Sequence, residues 1–504
     1  MEVSLNKTDF RCYHKTFTQR FKKEETQDTV VPDTMPDIGE VLETTGILMI
    51  RSKDVDEGVV KVSGTVSACV VYKAEDRREI CSLEVSIPVS LNAESEHIRD
   101  EAAGTAELQL LSVETRVLNP RKVLVKAEIS AQIDCYVSGV REFPQDIGPS
   151  EADIHVLRRT VPFSPTVSVR EKTFVVTDEW NVPPSSGAAK EILSRRVSTM
   201  VDDIKTVGSK LIFKGYIKCA LLYNTTDDLL ATAEFSSNFS QIIECDTAFN
   251  APAASVDVLP TGVYFEILSG GEGRTISMEL HMLAQSLCSE RTELQYLADA
   301  YSNTHSLNLE QQEETVDCLC QQPVLKENVR QLYETPVPAV EVIEAHAAAG
   351  VAVQQEGRIE LPVCLYVLYR GGDGQTYSGK KRCTVDFPLA QEMGGSVRVC
   401  GCDLTELIAI PSDGGVELRL HVQLQTMLLT SQTIRTVASM SYQEDESVDL
   451  SGKPSLVILR ASDRDDLWTI AKENCSSVEQ IEEINGLRDC TGEWEKFLLI
   501  PRVR

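Results

Sequence analysis

The sequence predicts a mainly β protein: three tandem antiparallel β-sandwich or barrel-like repeats with short helices, followed by a small α+β module of order strand, helix, helix, strand. Three observations predict it. Apolar residues alternate with period two over long runs, the same elements recur about every 150 residues, and the grammar changes after residue 455.

Each repeat is expected to open on a short helix-like stub: Val41-Leu42, Ile192-Leu193 and Val342-Ile343, with Leu42, Leu193 and Ile343 lying 151 and 150 positions apart. Helical periodicity is also read in Ala188-Ala189-Lys190-Glu191-Ile192-Leu193. A strand ending on tyrosine follows each stub, over Val59 to Tyr72, Lys210 to Tyr223 and Arg358 to Tyr369. In the first, Val60, Val62, Gly64, Val66, Ala68 and Val70 alternate with Lys61, Ser63, Thr65, Ser67 and Cys69, which reads as one buried and one wet face. Asn224-Thr225-Thr226-Asp227 and Gly371-Gly372-Asp373-Gly374 supply reversals into the next strand. A late strand carries a glutamine at matching positions, Gln132, Gln285 and Gln425, and in the first copy it follows the Asn119-Pro120-Arg121 turn.

The expected boundaries are residues 1–150, 151–310 and 311–440 for the repeats, 441–455 for an acidic linker and 456–503 for the last module. A period this long exceeds that of solenoids, so each copy should own a core. In the tail, strands are expected over Leu456 to Arg460 and Phe497 to Ile500, and helices over Asp466 to Glu473 and Val478 to Asn485. Ser477 with Gln480 makes a capping box, and Asn485-Gly486 a helix stop.

A hydrophobic content of 42% with 25% charged residues over 504 residues is that of a folded chain. The net charge of −28 repels phosphate backbones and anionic lipid, so nucleic acid is not an expected partner. Lys22-Lys23, Arg158-Arg159 and Lys380-Lys381-Arg382 are expected to be solvated turns and strand edges. The N-terminal residues lack the apolar run of a secretory leader and no later stretch reaches membrane-spanning length, so the chain is expected to stay in the cytosol. Fifteen scattered cysteines suit free thiols in a reducing compartment.

No constellation makes a convincing reaction centre, and the chain is expected not to be an enzyme and to need no cofactor. Gly374 to Lys381 has phosphate-loop spacing, but Lys381 replaces the hydroxyl that would hold magnesium and a strand follows it, so a glycine-rich hairpin is expected. Cys318-Leu319-Cys320 and Cys400-Gly401-Cys402 lack the usual zinc bite and read as apolar cysteines in strands. His281 and His421, matched by Glu128 in the first copy, read as a wet strand face.

Two segments resemble known families. Asp465-Asp466-Leu467-Trp468-Thr469-Ile470-Ala471-Lys472, Ser477-Val478-Glu479-Gln480-Ile481, Asn485-Gly486-Leu487 and Leu498-Leu499-Ile500-Pro501 resemble a LysM module. That resemblance implies a groove for N-acetylglucosamine-containing glycans between two loops. Here the usual Gly-Asp-Thr reads Arg464-Asp465-Asp466, and Glu495 takes the place of a glycine. By the same resemblance the contact residues are Asp465, Asp466, Trp468, Asn485, Gly486 and Leu487, whereas Leu467, Ile470, Ile481 and Ile484 are assigned to the core. The remainder, with Val31-Pro32-Asp33-Thr34-Met35-Pro36-Asp37-Ile38 opening the first copy, resembles tandem SPOCS domains of endospore-forming bacteria. The resemblance implies a spore-coat morphogenetic scaffold in the mother-cell cytoplasm, at the forespore surface. Its implied partners are the stage IV coat morphogenetic ATPase and other coat proteins, docked through the tail. Peptidoglycan or cortex is the alternative partner.

Overall fold

The computed structural model describes residues 1–75, 79–150, 152–246, 248, 250, 252–389, 395–448, 454–462, 465–487 and 495–502. The first repeat is built from β1 (Leu5–Val30), β2 (Ile38–Asp56), β3 (Val59–Ala74), β4 (Ile80–Glu94), β5 (Ala103–Asn119) and β6 (Lys122–Ile147). Sheet β2-β3-β4 packs face to face on β1-β6-β5, burying Val62, Val66, Val70, Ile87, Val125 and Ile129 between them.

The second repeat repeats this plan with its outer strands each broken once. It comprises β7 (Ile154–Phe163), β8 (Thr166–Asn181), β9 (Ala189–Val207), β10 (Lys210–Thr225), β11 (Leu230–Glu244), β12 (Pro252–Ile267), β13 (Thr275–Glu290) and β14 (Thr292–Ser302). Pro165 stands in the break between β7 and β8, where no ladder donor is needed. The third comprises β15 (His305–Gln321), β16 (Val324–Glu334), β17 (Ala339–Ala349), β18 (Val353–Gln355), β19 (Arg358–Gly371), β20 (Thr376–Pro388), β21 (Ser396–Ser412) and β22 (Gly415–Ser447). Its break between β15 and β16 holds Pro323. The tight turns into β3, β10 and β19 place Gly58, Gly208 and Gly357 at φ of +81°, +60° and +73°, a conformation that favours glycine.

The expected stubs are not helical. Val41-Leu42, Ile192-Leu193 and Val342-Ile343 lie inside β2, β9 and β17, where Val41, Ile192 and Val342 pair with Tyr72, Tyr223 and Tyr369. The next residue of each, Leu42, Leu193 and Ile343, is an extra residue bulged out of the ladder. Two adjacent apolar residues look helical in sequence because the bulge turns both toward buried surfaces. Ala189 to Leu193 likewise belongs to β9. Among the described residues the repeats contain only two short 3-10 turns, Pro184–Ser186 and Ser269–Gly271.

The bulges make the three repeats one body. Leu42, Leu193 and Leu368 are at most 1% exposed and pack with Val71, Leu222 and Ile343 in a single cluster drawn from all three copies. Fully burying each such side chain is worth about 1.5–3 kcal/mol. For this reason β3 has no fully wet face. Thr65, Cys69 and Val71 are buried on its second side, which the sequence assigns to solvent.

Beyond the sandwiches, paired outer strands of all three copies form a shared stem. Phe10 and Phe143, Phe163 with Leu294 and Tyr296, and Val316 with Ile434 form its core. Phe10, Phe143 and Phe163 meet edge to face at 5.3–5.9 Å, and the Arg141 guanidinium lies 4.9 Å from the Phe143 ring centroid.

Strand β22 extends through Ser447, so residues 441–447 of the expected linker continue the stem's ladder against β15. Residues 449–453 lie outside the described ones. The tail is a two-stranded antiparallel sheet, β23 (Leu456–Ser462) with β24 (Glu495–Pro501), joined through α1 (Leu467–Glu473) and α2 (Val478–Asn485). Asp466 and Ser477 cap the two helices by accepting from the N–H groups of Trp468 and Gln480. Among the described residues no helix is long and apolar enough to cross a membrane.

Candidate functional site

Two places concentrate function-bearing side chains: the tail with its seat on the stem, and the junction of the three repeats.

At the tail, the sequence-selected loop residues come together around the helix ends, each with a structural role. Asp465 accepts from the Ser462 N–H at 2.8 Å, and Asp466 caps α1 and accepts from the Thr469 hydroxyl at 2.7 Å. The Asn485 amide bridges α2 to β24, donating to the Leu499 carbonyl and accepting from the Leu499 N–H, both at 2.7 Å. Gly486 ends α2 at φ +59°, and Leu487 is buried in the tail core. Arg464 and the Glu495 side chain lie outside what is described. Leu467, Ile470 and Ile481 pack in the core as expected, but Ile484 is 49% exposed. It falls on the outer side of α2, away from the sheet.

Trp468 packs inward against the second repeat. Its ring meets Tyr301 edge to face at 4.8 Å, and its indole N–H donates to the Asp299 carboxylate at 2.8 Å. Lys472 reaches the same carboxylate at 2.7 and 2.9 Å. Tyr301 enters the tail's apolar core and donates to the Ser476 carbonyl at 2.8 Å.

Among the described residues, the face of the tail sheet turned away from its helices is exposed and largely apolar, with Arg460 opposite Phe497. Leu456, Ile458, Phe497 and Leu499 are 48, 63, 69 and 37% exposed, and Ile458 pairs with Leu499 across the sheet. The loop-centred reading missed this surface. The signal was present in Leu456-Val457-Ile458-Leu459, because four consecutive apolar residues put apolar side chains on both faces of a strand.

At the junction, a polar ring surrounds the bulge cluster. Positions equivalent in the three copies meet in rotation: Thr45 with Ser194 at 2.8 Å, Arg196 with Glu344 in an ion pair, and His346 with Glu43 at 3.6 Å. Burial, then the Glu344 charge, push the Glu43 carboxyl up to about 8, with Arg196 acting in the opposite sense. Burial and Arg196 drive His346 well below the usual histidine range. At neutral pH the last pair is therefore a contact between two largely uncharged groups.

The late-strand glutamines work as clamps between copies. Gln285 of the second repeat donates to the Ala106 carbonyl of the first, and Gln425 of the third donates to the Val201 carbonyl of the second at 3.1 Å. Gln132 instead stays in its own repeat, bonded to Arg20 and Asp134. The first and third copies are joined by Arg398 to the Tyr136 hydroxyl and by Arg382 to Glu128 at 2.8 Å. Glu128 is thus 2% exposed, not on a wet face, because the third repeat covers it. His281 and His421 bond Glu279 and Asn328 on their strand surfaces. Lys22, Arg158, Lys380 and Arg382 serve as ion-pair partners between strands or repeats.

Beside the ring the repeats form an open cavity of about 870 Å³, with walls from all three copies. The phosphate-loop-like segment is the β19–β20 hairpin turn, with Gly374 at φ +78° and Lys380 paired to Glu114. The described cysteines are free thiols. Among the described residues no group of three or more His, Cys, Asp or Glu side chains is placed to hold a metal.

The proline-rich openings of the repeats are seals. In the first, Tyr72 donates to the Pro36 carbonyl at 3.0 Å, and Arg121 donates to the Val31 and Met35 carbonyls at 3.0 Å and to Asp37 at 2.7 Å. In the second, Tyr223 donates to the Ser186 carbonyl at 3.1 Å, whereas the buried Tyr369 hydroxyl of the third has no hydrogen-bond partner. The tyrosine-to-carbonyl bond is thus kept in the first two copies and lost in the third.

The molecule is therefore a mainly β assembly of interlocked two-sheet repeats bearing a small strand-helix-helix-strand tail. Residues 37–118 and 188–268 are similar to the family model described as SipL, SPOCS domain. The matched segments open at the bulged strands of the first two repeats and run through the strands that wall the cavity. No curated protein and no solved structure matches the chain.

Proposed function

We propose that the chain is a non-catalytic scaffold for spore-coat assembly, working in the mother cell at the forespore surface. The observation that carries this reading is the match of two of its three repeats to the SipL, SPOCS domain family. The third repeat, with the same strand order and bulge, is read as a further SPOCS domain. The tail is read as a LysM-like module that docks onto a coat morphogenetic protein, the stage IV coat ATPase being the partner the resemblance implies.

Three features support adhesion over glycan capture. The exposed face of Leu456, Ile458, Phe497 and Leu499 is of the kind that packs against protein. The loop polar groups that could meet a sugar are engaged as caps and bridges, and Trp468 is held by Asp299. The repeats, fused by buried contacts, give a rigid platform on which the tail is seated.

The test is recruitment in sporulating cells. A fluorescent fusion of the full chain should ring the forespore, and a chain ending at residue 448 should fold but stay diffuse. Unchanged localisation of the truncated chain would refute docking through the tail. Strong co-sedimentation of the full chain with purified peptidoglycan, lost with the tail, would favour the wall reading.

A further inference from the structure

The cavity at the junction carries a feature that the scaffold role does not use. Glu107 of β5 stands in its wall and makes no hydrogen bond or ion pair with any described residue. Asp257 of β12, its structural counterpart in the second copy, stands in the same wall with the Val258 backbone N–H against its carboxylate and the Lys53 ammonium of β2 acting on it from nearby. The two correspond because each pairs across its sheet with the late-strand glutamine, Glu107 with Gln132 and Asp257 with Gln285.

Both side chains are half-buried and line the same open pocket. Burial and the neighbouring Asp257 and Asp134 push Glu107 up to about 8, and burial pushes Asp257 up to about 6. The groups facing Glu107 are Arg20 from β1, Asp134 from β6, Asp257 from β12, and Arg398, Cys400 and Cys402 from β21, and those facing Asp257 are Lys53 from β2, Glu107 and Cys400. Both guanidiniums already have partners: Arg20 bonds the Gln132 amide oxygen at 2.8 Å, and Arg398 bonds the Tyr136 hydroxyl. Met200, Val258, Ala347 and Val399 add apolar wall. A cavity of this volume suits a drug-sized organic molecule, and the net charge of −28 raises the local concentration of cations.

We propose that the cavity is a binding site for a small organic cation, an amine or guanidinium head on an aliphatic body, with Glu107 and Asp257 receiving the head and Met200, Val258 and Ala347 the body. The site is assembled only when the copies are locked together, since each supplies part of the wall.

Isothermal titration of the full-length chain with hexylamine tests this, with hexanoate as the control of opposite charge. Hexylamine should bind one per chain, hexanoate should not, and Glu107→Gln with Asp257→Asn should weaken hexylamine by at least about tenfold. Both carboxyls lose a proton on receiving the cation, so affinity should rise from about pH 6 to about pH 8.5, with proton uptake by the buffer in the same titration. The double variant removes two like charges from a half-buried wall, so it should melt at or above the wild-type temperature. Absence of hexylamine binding, equal binding by hexanoate, or unchanged affinity in the folded variant would overturn the assignment. If the variant fails to fold, a flat pH dependence in the unmodified chain would overturn it equally.

Discussion

Gln285 of the second repeat grips Ala106 of the first at both ends of its amide. Its Nε2 donates to the Ala106 carbonyl at 2.7 Å and its Oε1 accepts from the Ala106 N–H at 2.9 Å. Lys53 also donates to Oε1 at 2.7 Å. A side chain that replaces two ladder bonds of a neighbouring copy makes the boundary between copies as specific as the interior of either one.

Gln285→Leu should destabilise the whole chain by about 2–4 kcal/mol, because it leaves the Ala106 N–H and carbonyl buried and unpaired and removes one of the Lys53 ammonium's three partners. Gln132→Leu should cost under about 1 kcal/mol, since it leaves no backbone group of another copy unpaired: Arg20 is exposed to water and Asp134 keeps the Thr18 hydroxyl. Urea unfolding of both variants measures the difference, and equal midpoints would show that the clamp carries no stability.

The polar ring predicts a pH dependence. The folded Glu43 carboxyl holds its proton up to about pH 8, whereas the unfolded one releases it in the ordinary carboxylate range. Between those limits the folded state binds more protons, so this group's contribution falls as pH rises and levels off above about pH 8. His346, neutral in the fold, acts in the opposite direction: its contribution is complete above the ordinary histidine range and is lost as pH falls through it. Glu43→Gln should therefore flatten the decline in stability between about pH 6.5 and 8, measured by thermal unfolding across that range. An unchanged slope would contradict the assignment of a buried proton.

The tail's seat predicts a separable variant. Asp299→Ala removes the acceptor of both Trp468 and Lys472. It should leave the repeats' unfolding midpoint unchanged while making residues 448–454 cleave faster under limited proteolysis, by about fivefold for a loss of about 1 kcal/mol at the seat. Equal cleavage rates would show that Tyr301 and Asn303, which both donate to the Ser476 carbonyl, hold the tail without Asp299.

The exposed sheet face predicts a variant that folds and fails to dock. Ile458→Asp and Phe497→Asp alter exposed side chains, so they should shift stability by less than about 1 kcal/mol. Each should nevertheless abolish forespore recruitment, scored by the fluorescent fusion. Recruitment at wild-type levels would move docking to another surface.

Much of this architecture is legible in the sequence. The strands ending at Tyr72, Tyr223 and Tyr369, the Asn119 turn and the tail's helices with their caps all follow from alternation and local hydrogen bonding, which a single segment displays. What was not legible depends on other copies. Leu42 and Leu193 look helical because a bulge, defined by the partner strand, breaks the period of two. Glu128 and Cys69 look wet because what meets them comes from a distant repeat, Arg382 and Arg195 respectively. The recurrence of Gln132, Gln285 and Gln425 was visible, but two of the three clamp and one does not, a distinction set by packing alone. At the tail, the loops drew attention through their resemblance to a glycan groove, while the apolar outer face was written plainly in Leu456 to Leu459.

The central claim is adhesion through the tail to protein in preference to glycan. The most direct measurement is surface plasmon resonance of the full chain and its Ile458→Asp variant over two surfaces, the purified stage IV coat ATPase and peptidoglycan fragments. The account predicts saturable binding of the full chain to the ATPase, its loss in the variant, and weak or no retention on peptidoglycan. Tight retention on peptidoglycan by both chains, with none on the ATPase, would contradict it.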